Sequence, residues 1–134
     1  MKINFENKNE LNKLYIHDSE FFGYCYNYSK RQISFLCDDL YYRKRTQFLF
    51  SNVILSNLQS CSFWHSGSSI LYVNLEENPS QLQELMEIQK EKQDIYEGSY
   101  LDRGIKYLPI VFQLNSGDTL LIICETMEWT EEFY

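Results

Sequence analysis

The stretch that decides the fold is Leu108-Pro109-Ile110-Val111-Phe112-Gln113-Leu114-Asn115-Ser116-Gly117-Asp118-Thr119-Leu120-Leu121-Ile122-Ile123-Cys124-Glu125-Thr126-Met127-Glu128. Two apolar runs are separated by Asn115, Ser116, Gly117 and Asp118, residue types that reverse a chain by tolerating φ > 0 and by bonding their own backbone. The pattern predicts a β-hairpin. A tip at Ser116 and Gly117 sets Asn115 opposite Asp118, Phe112 opposite Leu121 and Ile110 opposite Ile123. One face then carries Ile110, Phe112, Leu114, Leu121 and Ile123, and the other Val111, Leu120, Ile122 and Cys124. Strands that are apolar on both faces belong in the middle of a sheet whose two sides are both covered. Pro109 suits the first position of its strand, where a missing N–H removes no ladder bond.

The rest of the chain agrees with a β-rich reading. Its 134 residues are 44% hydrophobic and 16% aromatic, with eleven Tyr and nine Phe, and flat rings favour pleated, half-buried surfaces. This length makes one domain, residues 1–134. A formal net charge of −7 argues against a nucleic-acid partner, which demands a basic footprint, and permits a basic protein partner. The N-terminus Met1-Lys2-Ile3-Asn4-Phe5-Glu6 has no apolar h-region, and Leu120-Leu121-Ile122-Ile123 is far short of the ~20 residues that span a bilayer. The expected location is the cytoplasm, with no membrane partner. Cys25, Cys37, Cys61 and Cys124 are widely spaced and form no Cys-x-x-Cys, so reduced, metal-free, buried thiols are expected.

In chain order, residues 1–13 are polar and read as a frayed arm or a short turn. Residues 20–28 alternate as a strand with Phe22, Tyr24, Tyr26 and Tyr28 on one face and Phe21, Gly23 and Cys25 on the other. Ser29-Lys30-Arg31 turns the chain, and Ile33, Phe35 and Cys37 alternate on the way back. Arg43-Lys44-Arg45 reads as a solvated connection. Phe48 and Phe50 then share one side of a strand with Leu49 on the other, and Asn52 marks a bulge or bend. Residues 61–64 form a short aromatic strand, residues 66–69 a loop and residues 70–75 another strand. The single helix starts at Pro79-Ser80, with Ser80 and Gln83 as a capping box and Leu82, Leu85, Met86 and Ile88 as its apolar stripe. The fold class is mainly β: an antiparallel β-sandwich or open barrel with one α-helix. The alternative is an α+β fold with the helix on an antiparallel sheet.

Sites of chemistry are sparse. His17-Asp18-Ser19 names the members of a hydrolase triad, yet three consecutive residues point alternately up and down and cannot place a base between nucleophile and carboxylate. A polar turn explains them better. Trp64-His65 would need a thiol brought close in space, and no His spacing or Gly-rich loop suggests a metal or phosphate. No catalytic residue, metal or cofactor is therefore assigned. The C-terminal Glu128, Trp129, Glu131, Glu132, Phe133 and Tyr134 interleave acidic and aromatic side chains, the composition of a protein-binding patch with aromatic anchors and an acidic rim.

Four segments carry a family resemblance: Leu14-Tyr15-Ile16-His17-Asp18-Ser19; Phe48-Leu49-Phe50-Ser51-Asn52-Val53; Cys61-Ser62-Phe63-Trp64; and Ser116-Gly117-Asp118-Thr119-Leu120-Leu121-Ile122-Ile123-Cys124-Glu125. In order and spacing the chain resembles a group of small β-rich Firmicutes proteins, some encoded beside polymorphic contact-dependent toxins and regarded as immunity proteins. Ile16 stands where Leu is usual before His-Asp-Ser. The resemblance implies a shared fold more than a shared activity; the expected role is that of a non-enzymatic binding protein, an immunity-type inhibitor, and the net charge of −7 suits a basic toxin as its partner. The alternative is a small enzyme or ligand-binding barrel whose site is assembled from distant residues, which a deep pocket with converging His, Cys or carboxylates would favour. Thiol titration of the denatured protein without reductant should count all four cysteines; a lower count would refute the reduced state.

Overall fold

The computed structural model describes residues 1–58, 69–76, 79–91 and 105–134. Its elements are β1 (Lys2–Ile3), a 3₁₀ turn (Lys8–Lys13), β2 (Glu20–Asn27), β3 (Gln32–Asp39), β4 (Lys44–Leu58), β5 (Ile70–Leu75), α1 (Ser80–Glu91), β6 (Leu108–Leu114) and β7 (Thr119–Phe133). The strands form one antiparallel sheet in the order β2-β3-β4-β7-β6-β5, with β1 added to β7. The fold is mainly β, and the sheet curls without closing into a barrel. Among the described residues its two edges meet at the Glu20–Ser69 bridge, where Asp18 N–H donates to the Ile70 carbonyl and Ile70 N–H to that of Ser19. The strand expected at residues 61–64 and the Trp64-His65 pair lie outside the described residues.

The central hairpin is present, with a register one residue away from the expected one. Leu114 N–H donates to the Asp118 carbonyl and Gly117 N–H to that of Leu114, leaving Asn115, Ser116 and Gly117 as a three-residue loop. Gly117 adopts φ 92°, the left-handed bulge position of such loops. Phe112 therefore faces Leu120, Ile110 faces Ile122 and Leu108 faces Cys124. Because side chains alternate with period two, the one-residue slip exchanges the faces of β7 relative to β6. Leu120, Ile122 and Cys124 join Leu108, Ile110 and Phe112 in the main core, while Leu121 and Ile123 pack with Tyr107 on the reverse side. Both faces are covered at this end of the sheet, as the double-sided apolar pattern requires.

The main core sits in the concavity of the curl. Ile33, Phe35 and Cys37 from β3 meet Phe48 and Phe50 from β4 and Met127 and Trp129 from β7. The rings of Phe35, Phe48 and Phe50 each approach Phe112 at 5.1–6.0 Å in tilted or edge-on contacts, which suit aromatic quadrupoles. In β4, Asn52 takes φ 52° and the ladder to β7 shifts between Val53 and Leu55. That is the bend anticipated at Asn52. It is fixed by Val53 N–H donating to the Arg31 carbonyl and by the Asn52 amide donating to Glu125 Oε2.

Several local expectations fail for identifiable reasons. A bulge between Phe21 and Gly23, with Gly23 at φ 138°, resets the alternation of β2. Phe21 consequently packs on Phe35 from the same side as Tyr24, and Phe22 leaves that face. Of the two readings of residues 1–13, the short turn is present as the 3₁₀ turn, which buries Leu11, and the frayed arm is not: Lys2 and Ile3 pair with Glu128 and Met127, and Ile3 is fully buried. Helix α1 begins where expected, but the Ser80 hydroxyl contacts the Gln81 side chain and Gln83 N–H bonds the Pro79 carbonyl, so the capping box is not formed. Cys37 and Cys124 are buried free thiols, whereas Cys25 is exposed on the surface. Burial pushes the Cys37 thiol up to about 12, with the Asp38 charge adding to it, and burial alone raises Cys124. Neither forms thiolate near neutral pH.

Replacing Phe112 or Ile122 by Ala should cost ~2–5 kcal/mol in denaturant melts, whereas Glu87→Ala on the exposed side of α1 should stay within about 0.5 kcal/mol. Gly117→Ala should cost ~1–2 kcal/mol through its left-handed backbone. Equal losses at the core and helix positions would refute the placement of the core.

Candidate protein-binding surface

The aromatic-acidic end of the chain forms the last part of β7, and strand geometry divides it. Trp129 lies opposite Phe48 and is only 5% exposed, so it belongs to the core and offers no surface to a partner. Glu131 and Phe133 follow it on the same face, opposite Thr46 and Lys44. Glu128 and Glu132 alternate onto the outer face, opposite Leu49 and Arg45. The six residues therefore do not make a single patch. The three glutamates are exposed, and of the aromatics Phe133, 69% exposed, and Tyr134, half-exposed, remain at the surface.

What they join was not anticipated. The β3–β4 connection, residues 40–43, exposes Leu40, Tyr41 and Tyr42, with Tyr41 at 87%. Asp39 Oδ1 accepts the N–H of both Tyr41 and Tyr42 at 3.0 Å, a side-chain-to-backbone turn that fixes the loop. The two rings meet edge-on at 4.9 Å. Arg43, at φ 52°, brings the chain back into β4, and its carbonyl accepts Tyr134 N–H. Tyr15 adds a further exposed ring: its carbonyl accepts a 2.9 Å bond from Lys44 Nζ, and Lys44 itself lies opposite Phe133. Tyr15, Leu40, Tyr41, Tyr42, Phe133 and Tyr134 thus wrap one end of the sheet.

A charged framework holds this end. Arg45 grips Asp38 with two bonds, Nε to Oδ1 at 2.8 Å and a terminal nitrogen to Oδ2 at 3.0 Å. The Tyr134 hydroxyl donates to Asp38 Oδ2 at 3.3 Å, and the Tyr134 ring lies 5.7 and 5.6 Å from the Arg43 and Arg45 guanidinium carbons. Lys44, buried, also lies 3.8 Å from Glu131. Of the run expected to be a solvated connection, Arg43 is exposed in the turn and Arg45 is half-buried, whereas Lys44 is buried. The hydrogen bonds from Arg45 hold the Asp38 carboxyl below the usual range, against the opposing effect of burial. Burial, then the Asp38 charge, raises the Tyr134 hydroxyl, so it remains a donor at neutral pH. The cross-strand arrangement also sets a cation by three of the four glutamates of β7: Lys44 by Glu131, Arg45 opposite Glu132 and Lys2 opposite Glu128. These three acids are locally balanced, and the net charge of −7 is a property of the whole molecule.

The remaining candidates are dispersed. His17 and Asp18 lie 3.5 Å apart on the surface, with Asp18 at φ 65°. Ser19 is buried with no hydrogen-bond partner for its hydroxyl, so the three side chains form no triad and the segment serves as the clip to Ile70. A groove of ≈ 820 Å³ lies between the β2–β3 turn, the bend of β4 and Leu85 of α1, lined by Tyr26, Tyr28, Ile33, Val53 and Leu55 among others. Its described lining holds no His, Cys or carboxylate. Among the described residues no cluster of His, Cys, Asp and Glu could hold a metal, and no helix is long and apolar enough to cross a membrane. Comparison with protein-family models, curated proteins and solved structures finds no match.

Because its folded-state pKa is lowered relative to the unfolded chain, Asp38 contributes stability that is complete above the ordinary carboxylate range and lost as pH falls through its lowered value. Asp38→Asn should reduce stability at neutral pH and flatten the acid limb of a stability–pH profile. An unchanged limb would refute the Asp38–Arg45 clamp as its source.

Proposed function

We propose that the protein is a non-enzymatic protein-binding domain of the immunity type, acting in the cytoplasm, that occludes a basic toxin partner through the aromatic end of its sheet. One observation carries this reading. Tyr41, Tyr42 and Phe133 are large and exposed, and the backbone that carries them is held by the Asp39 bonds to the Tyr41 and Tyr42 N–H groups and by the pairing of Phe133 with Lys44. Rigid tyrosine-rich surfaces lose little side-chain entropy on docking and supply amphipathic contact area, which is why such residues dominate binding hot spots. The overall charge supports a basic partner, since opposite net charge speeds encounter even where local charges are balanced. The resemblance to toxin-neighbouring proteins supports the same class of partner.

The test is binding kinetics with the purified product of a neighbouring toxin-like gene. Tyr41→Ala and Phe133→Ala should each speed dissociation about tenfold or more and leave association nearly unchanged, as expected for buried anchors. Raising salt should slow association of the unaltered protein. No binding by any neighbouring product, or unchanged dissociation in both variants, would refute the reading.

A further inference from the structure

We propose that Arg43 is the charged anchor of the aromatic end and receives an aspartate or glutamate carboxylate of the docked protein. The proposal rests on the reading of this end as the docking surface and names the group that the surface recognises. Arg43 is exposed at the last position of the β3–β4 connection. Among the described residues the ion pairs of this end are Lys44–Glu131 and Arg45–Asp38, and Arg43 takes part in neither. The neighbouring charges are engaged. Arg45 holds both oxygens of Asp38 and lies opposite Glu132, and Lys44 bonds the Tyr15 carbonyl beside Glu131. Asp39 is buried, and its Oδ1 accepts the Tyr41 and Tyr42 N–H groups.

The Tyr134 ring shows what Arg43 lacks. It carries two guanidinium groups, the carbon of Arg45 at 5.6 Å and that of Arg43 at 5.7 Å from its centroid. Arg45 completes the arrangement with a carboxylate held by two bonds, and Arg43 has none. Two guanidinium groups at one ring repel each other, and Asp38 offsets the charge of Arg45 alone. A carboxylate brought by a partner gives Arg43 the environment that Arg45 already has.

Arg43 is also set in place before a partner arrives. Its backbone takes φ 52°, its carbonyl accepts Tyr134 N–H at 2.9 Å, and strand pairing starts at the next residue, Lys44 with Phe133. A guanidinium resting on a ring keeps its in-plane N–H groups free for a bidentate acceptor, and it sheds water more readily than an ammonium. The exposed Tyr41 and Tyr42 rings precede it in the turn and supply aromatic area that excludes water from a docked pair. Exclusion of water strengthens such charge-assisted bonds. Charge then has two separate roles. The net −7 speeds the approach of a basic protein, whereas Arg43 acts at contact and demands one acid within that protein's own surface.

The experiment is binding kinetics with the purified product of a neighbouring toxin-like gene, comparing Arg43→Asn, Arg43→Lys and Arg43→Glu with Tyr41→Ala and Phe133→Ala. Asparagine tolerates the left-handed backbone, so Arg43→Asn should keep the melting transition of the unaltered protein. Arg43→Asn and Arg43→Lys should each speed dissociation about tenfold, the lysine failing because it lacks the planar fork. Arg43→Glu should weaken binding about a hundredfold, and one Asp→Arg or Glu→Arg change among the exposed acids of the partner should restore it. Dissociation unchanged in the Arg43 variants but faster in Tyr41→Ala and Phe133→Ala would overturn the proposal and leave the docking surface standing. A lysine as good as the arginine, or no rescue by any partner acid, would overturn it equally. If neither the aromatic nor the Arg43 variants alter binding, the docking reading itself fails and the proposal falls with it.

Discussion

The pairing of β4 with β7 is the constraint on which the rest depends. Both strands run fifteen residues and stay in register from Lys44–Phe133 to Leu58–Leu120, apart from the shift after Val53. Every other strand is placed by this pair: β3 extends β4 outward, and β6 and β1 share the far side of β7. Strands this long cannot stay flat, because each carries a right-handed twist. The left-handed Asn52 and the Val53–Leu55 shift concentrate the bend at one place. The curl encloses Phe35, Phe48, Phe50 and Phe112 and converts a two-faced sheet into a core.

The same pairing builds the aromatic end. β7 delivers Phe133 and Tyr134 beside the β3–β4 turn only because its partner strand starts at Lys44. The Asp38–Arg45 pair, the Asp39 turn and the Lys44 bond to the Tyr15 carbonyl then hold three separate chain segments together. Leaving any member of such a network without its partner is costly when the group is buried. A rigid polar base beneath exposed rings is the arrangement a docking surface needs, since little must be ordered when a partner arrives.

The curl also creates the edge at β2. Sheets that close have no edges; here, among the described residues, the two edges touch where Glu20 meets Ser69. The aromatic end therefore belongs to a sheet that does not close into a barrel.

By itself the sequence determined the β-rich class, the central hairpin, the alternation of Ile33, Phe35 and Cys37, the pairing of Phe48 with Phe50 on one face, the bend at Asn52 and the position of α1. Each is a local signal, set by side-chain period or by residues that tolerate a turn. Tertiary structure decided the features that hinge on one residue more or less. A three-residue loop instead of a two-residue tip exchanged the faces of β7, and the Phe21–Gly23 bulge re-aimed Phe21 and Phe22. Long-range pairing alone drew Lys44 and Trp129 inward, although a basic run and a Trp among glutamates read locally as surface. The one overlooked local signal was Leu40-Tyr41-Tyr42, an apolar trio inside a turn where polar residues are the norm. Its role becomes visible only when β7 sets Phe133 and Tyr134 beside it, because contact between residues about ninety positions apart is fixed by strand register and not by any local preference.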